Sequence, residues 1–209
     1  MVTSDVRTVG VLVYPGCDLL DVGGPYEAVL TADRLQARRS AVPRFEVATL
    51  ASDPGLVTAY GGLELGGHRR AHEVVHLDVV VVPGTVDVAA ALGDARLLAT
   101  VGELARRSDL VASVCTGSFL LAAAGLLEGR TATTHHEDLA ALAARDDVGE
   151  VRGGVRFVVD GPVVTAAGLS SGLSLGLHLV DRLAGRQLAT ATARQLEHAF
   201  DPAGRDGVT

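Results

Sequence analysis

Cys115 and Asp21 have the residue types and positions in the chain that nucleophilic catalysis uses. Cys115 follows an apolar run over residues 110–114 and precedes Gly117 and an apolar, helix-compatible segment over residues 119–124. This pattern predicts a buried strand, a tight corner and a helix, which is the nucleophile elbow arrangement. The free N–H groups and positive dipole end of the new helix favour the reactive thiolate. The same pattern also fits a buried structural cysteine at a strand end.

Asp21 lies in the segment 17–25, after an apolar strand predicted over residues 9–14 and before a helix predicted over residues 26–32. The sequence therefore places it in the first strand-to-helix loop. Burial there would raise the pKa of its carboxyl, so that it holds a proton and passes it on. The alternative is that Asp21 is an N-terminal helix cap.

Strands alternate with helices along the rest of the chain. Strands are predicted over residues 45–50, 79–82 and 131–133, with hairpins over 57–65 and around Asp160-Gly161. Helices are predicted over residues 92–107, 171–184 and 187–199, and Thr134 with Glu137 forms a capping box for a helix that runs to residue 144. The alternation predicts one α/β domain over residues 1–200, an open, mostly parallel sheet with helices on both faces, and a frayed tail over 201–209.

In such sheets, functional sites lie beyond the carboxyl ends of the strands. The segments 17–25, 83–86 and 115–117 meet this condition, so a carboxylate, a glycine-bearing turn and a cysteine would share one crevice. Backbone N–H groups of Gly84 or Thr85 and of Thr116 would bind negative charge. The Thr116 hydroxyl would orient Cys115 or the substrate. Gly117, Gly168 and Ser171 are predicted to line the same pocket.

Composition narrows the class of protein. The chain has 209 residues, 48% of them hydrophobic, and a net charge of −7, which argues against a nucleic-acid-binding surface. No apolar run reaches membrane-spanning length and the start has no signal-peptide pattern, so a cytoplasmic protein is expected. Two cysteines do not make a disulfide framework. Cys17 is expected to pack as a small apolar side chain.

Residues His72 to His76 match the HExxH zinc motif, and His68 adds a third histidine. Zinc binding needs both motif histidines on one face of a stable helix. Gly66-Gly67 and the strand predicted from residue 79 leave room for two to three turns at best. We therefore predict no metal here, and no cofactor.

Several segments, in this order along the chain, carry a resemblance to a known family. They are Tyr14-Pro15-Gly16, Leu20-Asp21, Gly24-Pro25, Asp78 with Val82-Pro83-Gly84, and residues 113–118, 123–130 and 132–135. The sequence resembles the ThiJ/PfpI superfamily, which is related in fold to class I glutamine amidotransferases and flavodoxin-like proteins. Within it, the Leu-Asp and Cys-Thr-Gly forms most resemble isocyanide hydratases and the sensor domains of AraC-like regulators.

The chain also departs from parts of that superfamily. Thr116 stands where the superfamily's proteases have a histidine, and Val180 stands where amidotransferases complete a His-x-Glu pair that would begin at His178. These departures argue against a protease or amidase triad. His135 follows Cys115 at a spacing where some members keep a histidine near the site, so a catalytic role and a helix-terminus role both stay open.

The resemblance implies a homodimeric, cysteine-dependent hydratase that acts on a small molecule. It would add water to a small isocyanide and form an N-substituted formamide through a thioimidate on Cys115. Two alternatives stay open: a ligand-sensing domain without turnover, and an aldehyde-handling or stress-response enzyme that uses Cys115 and His135. The negative charge and the lack of a basic helix-turn-helix region argue against a DNA-binding regulator.

Overall fold

The computed structural model describes residues 6–38, 44–53 and 55–205. The strands are β1 (Arg7–Leu12), β2 (Phe45–Ala51), β3 (Val57–Thr58), β4 (Glu64–Leu65), β5 (Arg69–Arg70), β6 (Leu77–Val82), β7 (Ser108–Val114), β8 (Thr131–Ala132), β9 (Glu150–Val151), β10 (Phe157–Asp160) and β11 (Val163–Ala166). The helices are α1 (Leu19–Ala37), α2 (Val88–Gly93), α3 (Ala95–Arg106), α4 (Gly117–Ala123), α5 (Leu139–Ala143), α6 (Ser171–Ala184) and α7 (Arg186–Gln195). Short 3₁₀ helices span Ala71–Glu73 and His136–Asp138.

The centre of the molecule is a seven-stranded sheet in the order β10-β11-β7-β6-β1-β2-β5. All neighbours pair in parallel except β10 and β11, which form the hairpin predicted around Asp160-Gly161. Helices α1, α6 and α7 pack together as one layer, and α2, α3 and α4 pack as another. The central strands carry valines that are almost fully buried, as parallel strands covered on both faces require. The predicted α/β fold is therefore confirmed.

Helix α1 begins seven residues before its predicted start at residue 26, because Asp18 caps its N-terminus. The Asp18 carboxylate accepts a hydrogen bond from the N–H of Leu20 at 3.0 Å and begins the helix there. Pro25 lies inside α1, and Gly24 lets α1 approach α6, since a Cβ on Gly24 would come within 3.0 Å of the Gly172 carbonyl carbon. Asp21 is thus in the first turn of a helix and not in a loop, and Asp18 is the cap.

The helix predicted over residues 92–107 is α3, and the separate helix α2 precedes it. Asp94 ends α2 and caps α3 by accepting hydrogen bonds from two N–H groups of α3, while Asp87 caps α2. The capping box predicted at Thr134 is wrong, because His135 caps the short 3₁₀ helix and α5 ends at residue 143. The strand predicted over 131–133 ends at Ala132, and α7 ends at Gln195, four residues before its predicted end.

Residues 201–205, the first part of the predicted tail, make hydrogen bonds. The Gly204 carbonyl accepts a hydrogen bond from the N–H of Arg156 at 2.8 Å, and Asp201 accepts hydrogen bonds from two following N–H groups. Residues 206–209 lie outside the described part of the chain. Among the described residues, no helix combines the length and apolar composition that crossing a bilayer needs.

Candidate active site

Cys115 lies at the corner between β7 and α4 with a φ of 56°. A non-glycine residue in this left-handed region is strained by about 1 kcal/mol or more. Hydrogen bonds hold the corner on both sides. The Cys115 N–H donates to the carbonyls of Ala166 and Ala167, each at 3.1 Å, and its carbonyl accepts from the Thr134 hydroxyl at 3.0 Å and the Ser118 hydroxyl at 3.2 Å. The Thr134 side chain therefore supports the corner.

Asp21 is fully buried in the first turn of α1 and interacts with Cys115. Its Oδ2 accepts a hydrogen bond from the Gly84 N–H at 2.9 Å, and its Oδ1 is buried without a partner among the described residues. Burial raises the pKa of the Asp21 carboxyl from 3.8 to about 7, although the Gly84 N–H and the Cys115 thiol act to lower it. Near neutral pH, Asp21 therefore both accepts and releases a proton easily.

The Cys115 sulfur is a thiol in this environment, which contradicts the predicted preference for thiolate. Burial, followed by the negative charge of Asp21, raises the pKa of the Cys115 thiol to about 12. The N–H groups of Thr116 and Leu169 donate toward the sulfur and lower the pKa, but burial and charge dominate. The thiol can therefore become a nucleophile most readily by passing its proton to Asp21, which leaves one negative charge in the site.

Thr116 links the corner to the loop after β6. Its hydroxyl donates to the Thr85 carbonyl at 2.7 Å and accepts from the Thr85 N–H at 2.9 Å. Gly84 passes so close that a Cβ would lie 2.6 Å from Thr116 Oγ1 and 2.8 Å from Asp21 Oδ2. The Gly84 and Thr85 N–H groups thus already have partners inside the protein, which contradicts their predicted role as free donors to the substrate. The Thr116 N–H faces the sulfur instead.

A pocket of about 280 Å³, called here the Cys115 pocket, opens over the corner. It is lined by Asp18, Thr85, Val86, Val88, Cys115, Thr116, His135, Glu137, Asp138 and Leu169. Of the residues that the structure describes, three carboxylates and no lysine or arginine line it. Asp21 is not a lining residue and interacts with the pocket through Cys115.

His135 lines this pocket, and its Nδ1 faces Glu137 and Asp138. Its Nδ1 accepts a hydrogen bond from the Glu137 N–H at 3.4 Å and lies 3.6 Å from an Asp138 carboxylate oxygen. Among the described residues, no hydrogen bond joins His135 to Cys115. Gly168 lies against the ring, where a Cβ would be 2.3 Å from His135 Cδ2.

Two other predicted pocket residues have packing positions. Gly117 lets α4 approach β6, because a Cβ would lie 2.3 Å from the Val82 carbonyl oxygen. Ser171 is fully buried at the start of α6 and does not line the Cys115 pocket. Leu169, which was not predicted, lies in the pocket wall with a φ of 43°. Its position directly after Gly168 is the only sequence signal, and it is a weak one.

Cys17 is fully buried, as expected for a small packing residue. Its backbone pairs with that of Thr85 in an isolated antiparallel β-bridge. The HExxH stretch does not form one helix, because the 3₁₀ helix that contains His72 ends at Glu73, while the His76 ring lies 3.5 Å from Asp109. The His68 ring contacts Thr49 and the Leu65 carbonyl. Within the described ranges, no group of three metal-ligating side chains comes together.

The sequence pattern of the DJ-1/PfpI family matches residues 9–182. The chain belongs to the DJ-1/PfpI family. Among its relatives, an isonitrile hydratase from Pseudomonas putida is 33% identical over 200 residues, which cover 93% of this chain and 79% of that protein. The HTH-type transcriptional regulator GbdR of Pseudomonas aeruginosa is 28% identical over 88% of this chain, but only 49% of the regulator is covered.

Solved structures of DJ-1/PfpI proteins share the fold. A ThiJ/PfpI family protein from Pseudomonas syringae superposes with a TM-score of 0.80 at 30% identity, covering 94% of this chain and 76% of that one. Drosophila melanogaster DJ-1beta superposes with a TM-score of 0.76 at 18% identity, covering 93% of this chain and all of that one. Because the identity with DJ-1beta is only 18%, this similarity shows a shared fold alone.

Proposed function

We propose that this DJ-1/PfpI protein hydrates a small isocyanide, also called an isonitrile, to an N-substituted formamide. The observation that carries the proposal is the buried pair of Cys115 and Asp21, in which a carboxyl with a pKa of about 7 interacts with a protonated thiol. The 33% identity to an isonitrile hydratase supports the same reaction. The pair supplies the nucleophile and the proton carrier that this reaction needs.

In the first step, the sulfur of Cys115 attacks the terminal carbon of the isocyanide. The thiol proton passes to the Asp21 carboxylate as the S–C bond forms. Asp21 then returns the proton, and the lone pair on the former isocyanide carbon takes it up. The product is a thioimidate, in which the former isocyanide carbon is bonded to sulfur, hydrogen and a doubly bonded nitrogen.

In the second step, water adds to the thioimidate carbon, and the nitrogen gains a proton. The C–S bond then breaks, the carbonyl of the formamide forms, and the sulfur regains its proton. The balance is one isocyanide plus one water to one formamide, so the reaction needs no oxidant or cofactor. The N–H groups of Thr116 and Leu169 stabilise negative charge on the sulfur as it arrives and leaves.

The test is an assay of the purified protein with a varied panel of isocyanides, in which formamide is measured by NMR. Cys115→Ala should lower turnover by about 10³-fold or more, and Asp21→Asn should impair it by about 10²–10⁴-fold, as losses of general acid–base groups do. His72→Ala, far from the pair in the exposed HExxH stretch, is the control and should keep the wild-type rate. Mass spectrometry of Asp21→Asn with substrate tests for an adduct on Cys115. Absence of any formamide across the panel would refute the hydratase.

Ligand sensing without turnover is the second candidate. Two observations favour it: the resting thiol is protonated, and GbdR-type regulators match 88% of the chain. A small molecule that binds in the Cys115 pocket, measured by calorimetry, and is recovered unchanged would support sensing. Formation of product would exclude it for that molecule.

A further inference from the structure

A second pocket, of about 200 Å³, adjoins the Cys115 pocket and shares two of its lining residues, His135 and Leu169. These two residues therefore form the partition between the pockets. The Leu139 side chain forms part of the far wall, where a Cβ on Gly153 would lie 2.8 Å from Leu139 Cδ1. Val155 and Ala167 also line this second pocket.

The two residues of the partition differ in packing and exposure. The His135 ring lies against Gly168 with no space between them, since a Cβ on Gly168 would be 2.3 Å from His135 Cδ2. Leu169, in contrast, is 40% exposed. A ligand attached to Cys115 can therefore extend into the second pocket across the apolar Leu169 side chain.

The two pockets differ in charge. Asp18, Glu137 and Asp138 line the Cys115 pocket, whereas the described ionisable side chains that line the second pocket are histidines. The Arg156 guanidinium donates a hydrogen bond to the hydroxyl of Ser170, a lining residue of the second pocket, at 3.2 Å. An anionic substituent thus meets carboxylates in the Cys115 pocket, while an apolar substituent can leave water on reaching the second pocket.

We infer that the second pocket binds the substituent of the substrate, and that the substrate is an isocyanide with an uncharged, apolar group long enough to cross Leu169. The nature of the reacting group rests on the proposed function. The binding of an apolar chain rests only on the two pockets and their partition.

A series of straight-chain alkyl isocyanides tests the subsite. We expect kcat/KM to rise by about two- to fourfold for each methylene that enters the second pocket, the range expected for burial of one methylene. Leu139→Phe fills this pocket and should abolish the gain for long chains while short chains keep their rate. Val155→Phe repeats the test from another wall, in case Leu139→Phe does not fold. Leu30→Phe, on the exposed side of α1, is the matched control.

A second experiment separates the subsite from the reaction. The rate of Cys115 alkylation is measured with N-alkyl iodoacetamides of increasing chain length, and the alkylated site is located by peptide mapping. A chain-length gain that is lost in Leu139→Phe supports the subsite even if no isocyanide is hydrated, in which case only the proposed function fails. Rates that do not depend on chain length, or that fall equally for short and long chains in Leu139→Phe, would overturn the subsite.

Discussion

Asp21→Asn should gain stability relative to wild type as the pH rises from 4 to 8, while its activity is severely impaired. The folded state raises the pKa of Asp21 from 3.8 to about 7 because the carboxyl is fully buried. Between these values, the folded protein holds a proton that the unfolded chain has released, so stability falls as the pH rises through this window. At about 1.36 kcal/mol per pKa unit, the loss above pH 7 approaches about 4 kcal/mol.

Asparagine has nearly the same shape and no charge, and its oxygen can still accept the hydrogen bond from Gly84. Relative to wild type, we therefore expect Asp21→Asn to gain about 2–4 kcal/mol between pH 4 and pH 8. The buried amide N–H without a partner costs about 1–3 kcal/mol at every pH and does not change this difference. At pH 4 the part of the gain that comes from charge should fall below about 1 kcal/mol, because Asp21 is protonated in the folded state and the pH is close to its pKa of 3.8 in the unfolded chain.

Urea unfolding followed by circular dichroism at pH 8, 6 and 4 measures this difference. Asp109→Asn is the matched control, because the Asp109 side chain is 71% exposed and its substitution should change stability by less than about 0.5 kcal/mol. A stability difference between Asp21→Asn and wild type that is the same at pH 8 and pH 4 would refute a buried charge at Asp21. A stable variant with full activity would remove Asp21 from the mechanism.

Four further predictions concern the corner, the core and the assembly. Cys115→Ala should lower turnover by about 10³-fold or more, and Thr116→Val should lower it less because the N–H remains, as steady-state kinetics will measure. Thr134→Val should slow turnover about fivefold by releasing the Cys115 carbonyl, and Thr134→Ser should restore it, since one hydrogen bond is worth about 1 kcal/mol. Burial lowers the pKa of His178 from 6.5 to about 4. The contribution of neutral His178 to the free energy of unfolding is therefore fully present above pH 6.5 and is lost as the pH falls toward 4. At pH 4.5, His178→Leu should be more stable than wild type in urea unfolding. Light scattering should detect a homodimer, and a monomer at working concentration would contradict the expectation from the family resemblance.

The fold could be predicted because its signals are local. Apolar strands alternate with helical segments, and the glycine after Cys115 marks the corner. The start of α1 could not be predicted from Gly23, Gly24 and Pro25, which are normally helix breakers. Gly24 is inside α1 because α6 packs against it, with the Gly172 carbonyl carbon where a side chain would be. Tertiary packing thus outweighs the local preference of these residues.

The chemistry of the site was harder to predict than its location. The sequence correctly indicates that the segments with Asp21, Gly84 and Cys115 meet at one edge of the sheet. The pKa of Cys115, however, depends on the balance between the helix N–H groups and the burial and charge around the sulfur. That balance depends on distances across the fold, as does the engagement of the Gly84 and Thr85 N–H groups by neighbouring side chains.

The close approaches at Gly84, Gly117 and Gly168 limit how this site can evolve. At each of them, a single added carbon would lie within 2.6 Å of an atom on a neighbouring element. Few single substitutions at these positions are therefore compatible with the fold during selection for a new substrate. The accessible substitutions are at Val86, Leu139 and Leu169, whose side chains line the pockets without holding the corner together. Relatives with different substrates should differ at these three positions before they differ at the glycines.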